Sequence, residues 1–427
     1  MHCELLECSG EPAALAAELR ALVSAAEEVS AAVAKIIGDV RQDGDEALRE
    51  YTRLLDTDGR DPLPLRVASP DMRAAAEDLP EPVRAGLERA IANVRRVAAV
   101  QLQAEHTVQF DTHVVAVRET PVVRAAVYVP GGHAPYPSTV VMGVTTALAA
   151  GVEEVAVCSP PQSRGELDPA ILGACSLAGA SAVYRMGGAH AIAALAYGTE
   201  SIAPVDVIVG PGNVYVQEAK RQLFGQVGID SFAGPSDLMV IVSDETSTRF
   251  AALDLLAQSE HGAGTIVMAV STQRELLERI WERLEPAPDT GAIARLVEVP
   301  SLEVALALAE HFAPEHLELI GNEAEALAAQ VRRAGCLFVG RNAGTAFGDY
   351  VAGSNHVLPT GGTARFASLL SPLHFRRRFC ELRVSDPAAL SESAAPLARA
   401  EGFLMHARSM EIRAARSPRQ PDVRDNA

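Results

Sequence analysis

From residue 124 onward, short apolar runs alternate with Ala- and Leu-rich segments of helical length. The runs at 125–129, 154–158, 182–185 and 205–209 form one series. A second follows Pro235, at 238–242, 265–270, 296–299, 316–320 and 336–339, with helical segments at 246–260, 272–284, 301–311 and 322–334. Strands that alternate with helices in this way predict βαβ units and parallel sheets. The pattern therefore predicts an α/β chain of two Rossmann-like lobes with parallel-sheet cores. In the run closed by Ala257, Phe250, Leu253, Leu256 and Ala257 recur at helical spacing and predict a helix. Before residue 124 the periodicity is mostly helical, over 13–23, 29–51 and 70–103, with Pro80 and Pro82 interrupting the last run. Residues 114–121 alternate like a strand. Beyond residue 365 the pattern predicts short helices over 388–410 and a disordered polar tail from 417.

Composition narrows the class. Of 427 residues, 48% are hydrophobic and 22% charged, as in an ordinary globular protein. Only 4% are aromatic, so aliphatic side chains must fill the cores. A net charge of −18 argues against nucleic acid or an anionic membrane as partner. The longest apolar-leaning run, 140–152, is too short to span a bilayer. Residues 1–10 carry Glu4 and Glu7 and show no signal-peptide pattern. The six cysteines contain no C-x-x-C pair, which predicts reduced, mostly buried thiols and a cytoplasmic setting.

Candidate chemistry gathers at the ends of the predicted strands, where open α/β sheets bind ligands. Three glycine-rich turns follow strands: Tyr128-Val-Pro-Gly-Gly132-His133, Met186-Gly-Gly-Ala-His190 and Gly210-Pro-Gly-Asn213. Each alone reads as a tight turn. Three in succession favour a nucleotide-sized ligand, whose phosphates backbone N–H groups could approach. Gln258 and His261 lie three apart on a helix and so share a face. With Asp349 they make an N/O donor set suited to Zn²⁺. Alone, a Gln-x-x-His pair is more often a capping or surface pair than a metal site. Glu315 and His316 stand side by side before a strand and could act on different atoms of one substrate. The run 348–362 is rich in Gly, Asp, Asn and His without helical or strand period, which is unusual for a core-building segment. Glu401 and His406 add a late carboxylate and imidazole.

The motifs Tyr128-Val-Pro-Gly-Gly132, Gly210-Pro-Gly-Asn213, Gly234-Pro-Ser236, Gln258-x-Glu-His261, Pro314-Glu-His316-Leu, the run 348–362 and Glu401-x4-His406 resemble the histidinol dehydrogenase family, in order and over nearly all of residues 20–413. The resemblance implies oxidation of L-histidinol to L-histidine by two NAD-dependent steps through L-histidinal, the last step of histidine biosynthesis. It implies Zn²⁺ held by Gln258, His261, Asp349 and His406, with His406 and Glu401 supplied by the partner chain of a homodimer. His316 would take the alcohol proton, and Glu315 would activate water to attack the aldehyde. Ser236, His356 and Glu401 match substrate-contacting positions beside the metal set and His316. Tyr128, His190 and Asn213 fall where the family contacts the dinucleotide. No thiohemiacetal cysteine is required.

The same resemblance implies a domain plan. It has an N-terminal arm (1–22), a metal and catalytic lobe (23–123 with 236–370), a dinucleotide lobe (124–235), a helical C-terminal dimerisation segment (371–415) and a disordered tail (416–427). Departures from the family pattern are His190 in place of the usual Gln, Asp237 in place of the usual Glu, and a shorter stretch between His261 and Glu315. They leave a paralogous Zn- and NAD-dependent dehydrogenase for another small polar alcohol as the competing expectation.

Overall fold

The computed structural model describes residues 1–8, 10–23, 29–102, 104–131 and 134–415. Gly132, His133 and the tail expected at 416–427 lie outside the described residues. In chain order the strands are β1 (Cys3–Glu7), β2 (His106–Gln109), β3 (His113–Pro121), β4 (Arg124–Tyr128) and β5 (Glu154–Ser159). Next come β6 (Ala182–Arg185), β7 (Val207–Val209), β8 (Gly228–Ile229), β9 (Asp237–Val242) and β10 (Ile266–Ser271). The last are β11 (Ile293–Glu298), β12 (His316–Ile320), β13 (Cys336–Val339) and β14 (Arg376–Val384). The described chain divides into two compact units, 1–102 with 122–375 and 104–121 with 376–415.

The larger unit holds two all-parallel sheets, ordered β6-β5-β4-β7-β8 and β1-β11-β10-β9-β12-β13. Apart from β1, the two orders are the same. Each series starts in the middle, at β4 or β9, runs outward for two strands, then returns to the other side of the first. This is the doubly wound arrangement, with a switch point between β4 and β7 and another between β9 and β12. The strands are continuous apolar runs because both sheet faces are covered: all six residues of β9 and of β10 are buried. The helix Pro137–Ala149 lies so close to β4 that a Cβ on Gly143 would collide with the Val127 side chain. Only glycine permits that approach.

Several expectations are corrected here. The residues expected as an N-terminal arm pack on the second sheet: β1 pairs in register with β11, and the helix Pro12–Ala21 buries Ala16 and Leu19 beside Leu308 and Phe312. The helices at 30–101, assigned to the lobe of residues 236–370, instead pack on the sheet of residues 124–229. Val33, Ile36 and Leu48 join Ile192 and Val216, while Met72, Leu87 and Ile91 join Val141 and Ile171. The helix Thr248–Ser259 buries Ala251, Ala252, Leu255, Gln258 and Ser259, whereas Phe250 and Leu253 are exposed. Small alanines let the helix approach the sheet, so the bulkier apolar residues face outward. The expected helix at 322–334 is two short turns, Asn322–Glu325 and Ala328–Gln330.

In the smaller unit β3 lies between β2 and β14, antiparallel to both. Thus 371–415 is not all helical: β14 precedes the helices Pro387–Ala400 and Leu404–Ala415, which meet through Ala395, Ala398 and Ala407. The Asp386 carboxylate caps the first of them by accepting from the N–H groups of Ala388 and Ala389. Among the described residues no helix is long and apolar enough to cross a membrane.

Candidate active site

The larger unit gathers Ser236, Asp237, Gln258, His261, Glu315, His316, Asp349 and His356. The framework is the amino-terminal edge of the six-stranded sheet: Asp237 opens β9 and His316 opens the adjacent β12. Glu315 and His316 thus stand at the start of a strand, as their sequence position predicts, whereas the glycine turns follow strands. The helix Thr248–Ser259 ends at the same edge and delivers Gln258 and, just past its end, His261.

One hydrogen-bonded chain runs through the cluster. Gln258 Nε2 donates to Ser236 Oγ at 2.5 Å, and Ser236 Oγ donates to Glu315 Oε2 at 2.5 Å. The backbone N–H of Asp237 donates to the same Glu315 oxygen at 3.1 Å. In return the Asp237 carboxylate accepts from the Glu315 N–H at 2.7 Å. Its carbonyl meets His316 Nδ1 at 3.1 Å. A carbonyl can only accept, so Nδ1 carries the proton and Nε2 presents its lone pair when the ring is neutral. Nε2 is buried without a hydrogen bond, 3.7 Å from Asp349 Oδ1. His356 is oriented by the same logic: Nδ1 donates to the Asp349 carbonyl at 2.8 Å, so Nε2 accepts the Thr139 hydroxyl at 3.2 Å.

Burial and charge set the protonation states. Burial pushes Glu315 up to about 7, against the pull of His316. Burial would lower His316, but the Glu315 and Asp349 carboxylates outweigh it and raise it to about 9. Burial depresses His261 and His356, which keeps both imidazoles neutral at pH 7. Asp349 is held below the usual carboxylate range by His316 and the other imidazoles, although burial opposes them. A carboxyl poised around neutrality beside an imidazole that is mostly protonated at pH 7 suits activation of water and, as rising pH frees the imidazole, proton abstraction from a hydroxyl. Burial raises the thiols of Cys158, Cys175 and Cys336; Cys336 pairs with His316 across β12 and β13 beside Asp349, but at about 11 its thiol stays protonated at pH 7 and is no ready nucleophile.

The donor chemistry was tested against a divalent metal. A neutral imidazole (His261), an ionised carboxylate (Asp349) and an amide whose nitrogen is already engaged, leaving the Gln258 oxygen free, are what Zn²⁺ accepts. Gln258 Nε2 and His261 Nδ1 stand 3.5 Å apart. The set is nonetheless partial: among the described residues no group of three or more His, Cys, Asp or Glu is arranged to hold a metal ion. His406 and Glu401 belong to the smaller unit, where both are exposed and His406 packs on Phe403.

The glycine turns lie at the carboxyl ends of β4, β6 and β7, and those after β4 and β7 flank the switch point. Their N–H groups are largely used within the fold. Gly187 donates to Asp56, Gly188 to Tyr128 Oη and Gly210 to Asp230. Asn213 caps the helix Val214–Leu223 by accepting from Tyr215 and Val216. His190 is fully buried, its Nε2 3.1 Å from Asp56 Oδ2, and so faces the interior rather than a ligand. Gly210 has φ 113°, and a Cβ there would land on the Tyr128 carbonyl oxygen.

Sequence reasoning missed the supports of this geometry. Arg20 bonds Asp237 at 2.5 Å, and the fully buried Lys220 bonds Asp230 at 2.6 Å and the Gly210 carbonyl at 2.7 Å. Lys220 shares the buried face of its helix with Val216, Ala219 and Leu223. A cation on an apolar face was the available signal.

Two doubly wound lobes with a buried carboxyl–imidazole pair beside an ionised carboxylate define a class: an α/β protein built from paired Rossmann-like lobes. The comparisons narrow it. The histidinol dehydrogenase family model matches residues 20–414. A histidinol dehydrogenase of Agrobacterium fabrum is 43% identical over 404 residues, spanning 91% of this chain and 93% of its own. One from Synechococcus is 42% identical, over 90% and 92%. The crystal structure of histidinol dehydrogenase from Elizabethkingia anophelis superposes with a TM-score of 0.88 at 29% identity, covering 97% of this chain and 98% of that one. The chain belongs to the histidinol dehydrogenase family.

Proposed function

We propose that the chain oxidises L-histidinol to L-histidine with NAD⁺, the last step of histidine biosynthesis, working in the cytoplasm as a homodimer with shared sites. The observation that carries this reading is the continuous network Gln258–Ser236–Glu315–Asp237–His316–Asp349. His316 Nε2 takes the hydroxyl proton in the first oxidation when its ring is neutral, a fraction that grows as pH rises toward about 9. Glu315, with a pKa raised to about 7, takes a proton from water as it adds to the aldehyde, giving the hydrate that the second oxidation converts to the acid. Ser236 fixes the Glu315 carboxylate, and His356, neutral and tied to Thr139, helps bind the polar substrate. Gln258, His261 and Asp349 would hold Zn²⁺, with His406 of the partner subunit as fourth ligand and the partner's Glu401 beside the substrate. When bound, Zn²⁺ would polarise the substrate hydroxyl as a Lewis acid, and NAD⁺ at the β4/β7 crevice beside Tyr128 and Asn213 would accept a hydride in each half. His190, buried on Asp56, supports that crevice from within.

Formation of NADH with L-histidinol and with other amino alcohols tests the reading. Two NADH per L-histidinol is the expected result. Activity confined to another alcohol would favour a paralogous dehydrogenase, and no NADH with any alcohol would end the dehydrogenase reading.

A further inference from the structure

The pair Glu315–His316 opens β12 directly after an unusual corner. The helix Leu302–Phe312 ends at Ala313, a non-glycine residue with φ 49° and ψ 68°. Left-handed backbone at a residue bearing a Cβ persists only where its surroundings hold it. Here Arg20 does so from the opposite end of the sequence. Its Nε and Nη2 donate to the Phe312 carbonyl at 3.1 and 2.7 Å, and Nη2 also donates to the Ala313 carbonyl at 3.1 Å. The guanidinium lies 3.5 Å from the centre of the Phe312 ring, and Nη1 bonds Asp237 Oδ2 at 2.5 Å. The other Asp237 oxygen holds the Glu315 N–H at 2.7 Å. Arg20 thus grips the chain just before Glu315 and, through Asp237, Glu315 itself.

We propose that Arg20 is a positioning residue for Glu315, so that the N-terminal helix governs the half-reaction in which water is activated; this rests on the dehydrogenase reading above. The fork geometry explains the choice of residue. A guanidinium can reach two carbonyls and a carboxylate in one plane, which an ammonium cannot. His316 depends on Arg20 much less, because its Nδ1 is held by the Asp237 backbone carbonyl, fixed in the β9 ladder. The two halves of the reaction should therefore respond differently.

The full-length chain carrying Arg20→Met or Arg20→Lys is compared with wild type using L-histidinol and L-histidinal separately, with melting temperatures measured in parallel. In Arg20→Met, kcat with L-histidinal should fall about tenfold to a hundredfold, the scale of a displaced catalytic group, while KM for NAD⁺ stays within about twofold. Alcohol oxidation should fall far less, and Arg20→Lys should recover part of the aldehyde step. If the Met variant does not fold, the Lys variant carries the same comparison, with a smaller selective loss expected. Wild-type rates in both halves, or equal losses in both that track a lowered melting temperature, would overturn the proposal. A wild-type chain that forms no NADH from L-histidinol would instead overturn the dehydrogenase reading, and this proposal with it.

Discussion

Glu318 gives a quantitative test of how the site strand is held. It sits two residues past His316 on β12, fully buried, with neither carboxyl oxygen in a well-formed hydrogen bond. The group that acts on it is the Asp254 carboxyl on the helix that delivers Gln258. Burial, reinforced by Asp254, pushes Glu318 up to about 9, and burial raises Asp254 as well. At pH 7 the pair therefore keeps a proton that the unfolded chain has lost.

The sign follows from linkage. A folded-state pKa above the unfolded value means that the folded state binds the extra proton, so stability is greatest below pH 4.5 and declines as pH rises to about 9. The slope is about 1.4 kcal/mol per pH unit for one proton, or about 4 kcal/mol between pH 5 and pH 8. Glu318→Gln has no proton to lose, and its amide can donate to Asp254. Urea unfolding of wild type and variant at pH 5, 6, 7 and 8 reads the effect of the pair, because titrating groups other than Glu318 and its neighbour Asp254 are common to both. The wild-type curve should fall relative to the variant by about 1.4 kcal/mol per unit. Parallel curves, with a difference independent of pH, would refute the reasoning.

Lys220→Met should destabilise the fold by about 3–5 kcal/mol, because it strands the buried Asp230 carboxylate, and Lys220→Met with Asp230→Asn should restore most of it in thermal melts. Dialysis against a chelator should abolish NADH formation, with zinc content and activity returning together on adding Zn²⁺. Chains carrying His406→Ala and Glu315→Ala, each inactive alone, should regain activity when co-folded, since one mixed site keeps both wild-type residues; failure would remove the cross-chain assignment.

What could be read in the sequence follows from what the residues must bury. The central strands of both sheets were legible because parallel strands covered on both faces are uninterrupted apolar runs, and β12 and β13 fall at the predicted residues. Cys3–Glu7 and Arg376–Val384 were not, because both lie at sheet edges and mix apolar with charged residues. The helix Thr248–Ser259 was legible from its periodicity, but its buried face was not, because it is built on Ala251, Ala252 and Leu255 while Phe250 and Leu253 are exposed. The candidate residues Ser236, Gln258, Glu315 and His316 stand on short motifs legible in the sequence, and the structure brings them within contact of one another. Their mutual orientation was beyond sequence, since Arg20 and Thr139 act from 217 residues away on Asp237 and His356.

The shared strand order carries one more consequence. Two lobes wound alike present two switch-point crevices at strand carboxyl ends, yet the acid–base cluster occupies neither. It lies at the amino edge of β9 and β12, where strand starts supply backbone groups in fixed directions: the N–H and C=O of Asp237 each hold a different catalytic side chain. The opposite ends of the same strands are already satisfied internally, with Asp244 accepting from the Ser247 N–H and Glu325 from the Gly321 N–H. A carboxylate seated on those donors disfavours a phosphate there. With one strand order in both lobes, the difference between the two edges of this sheet lies in which side chains occupy the backbone donors rather than in the topology.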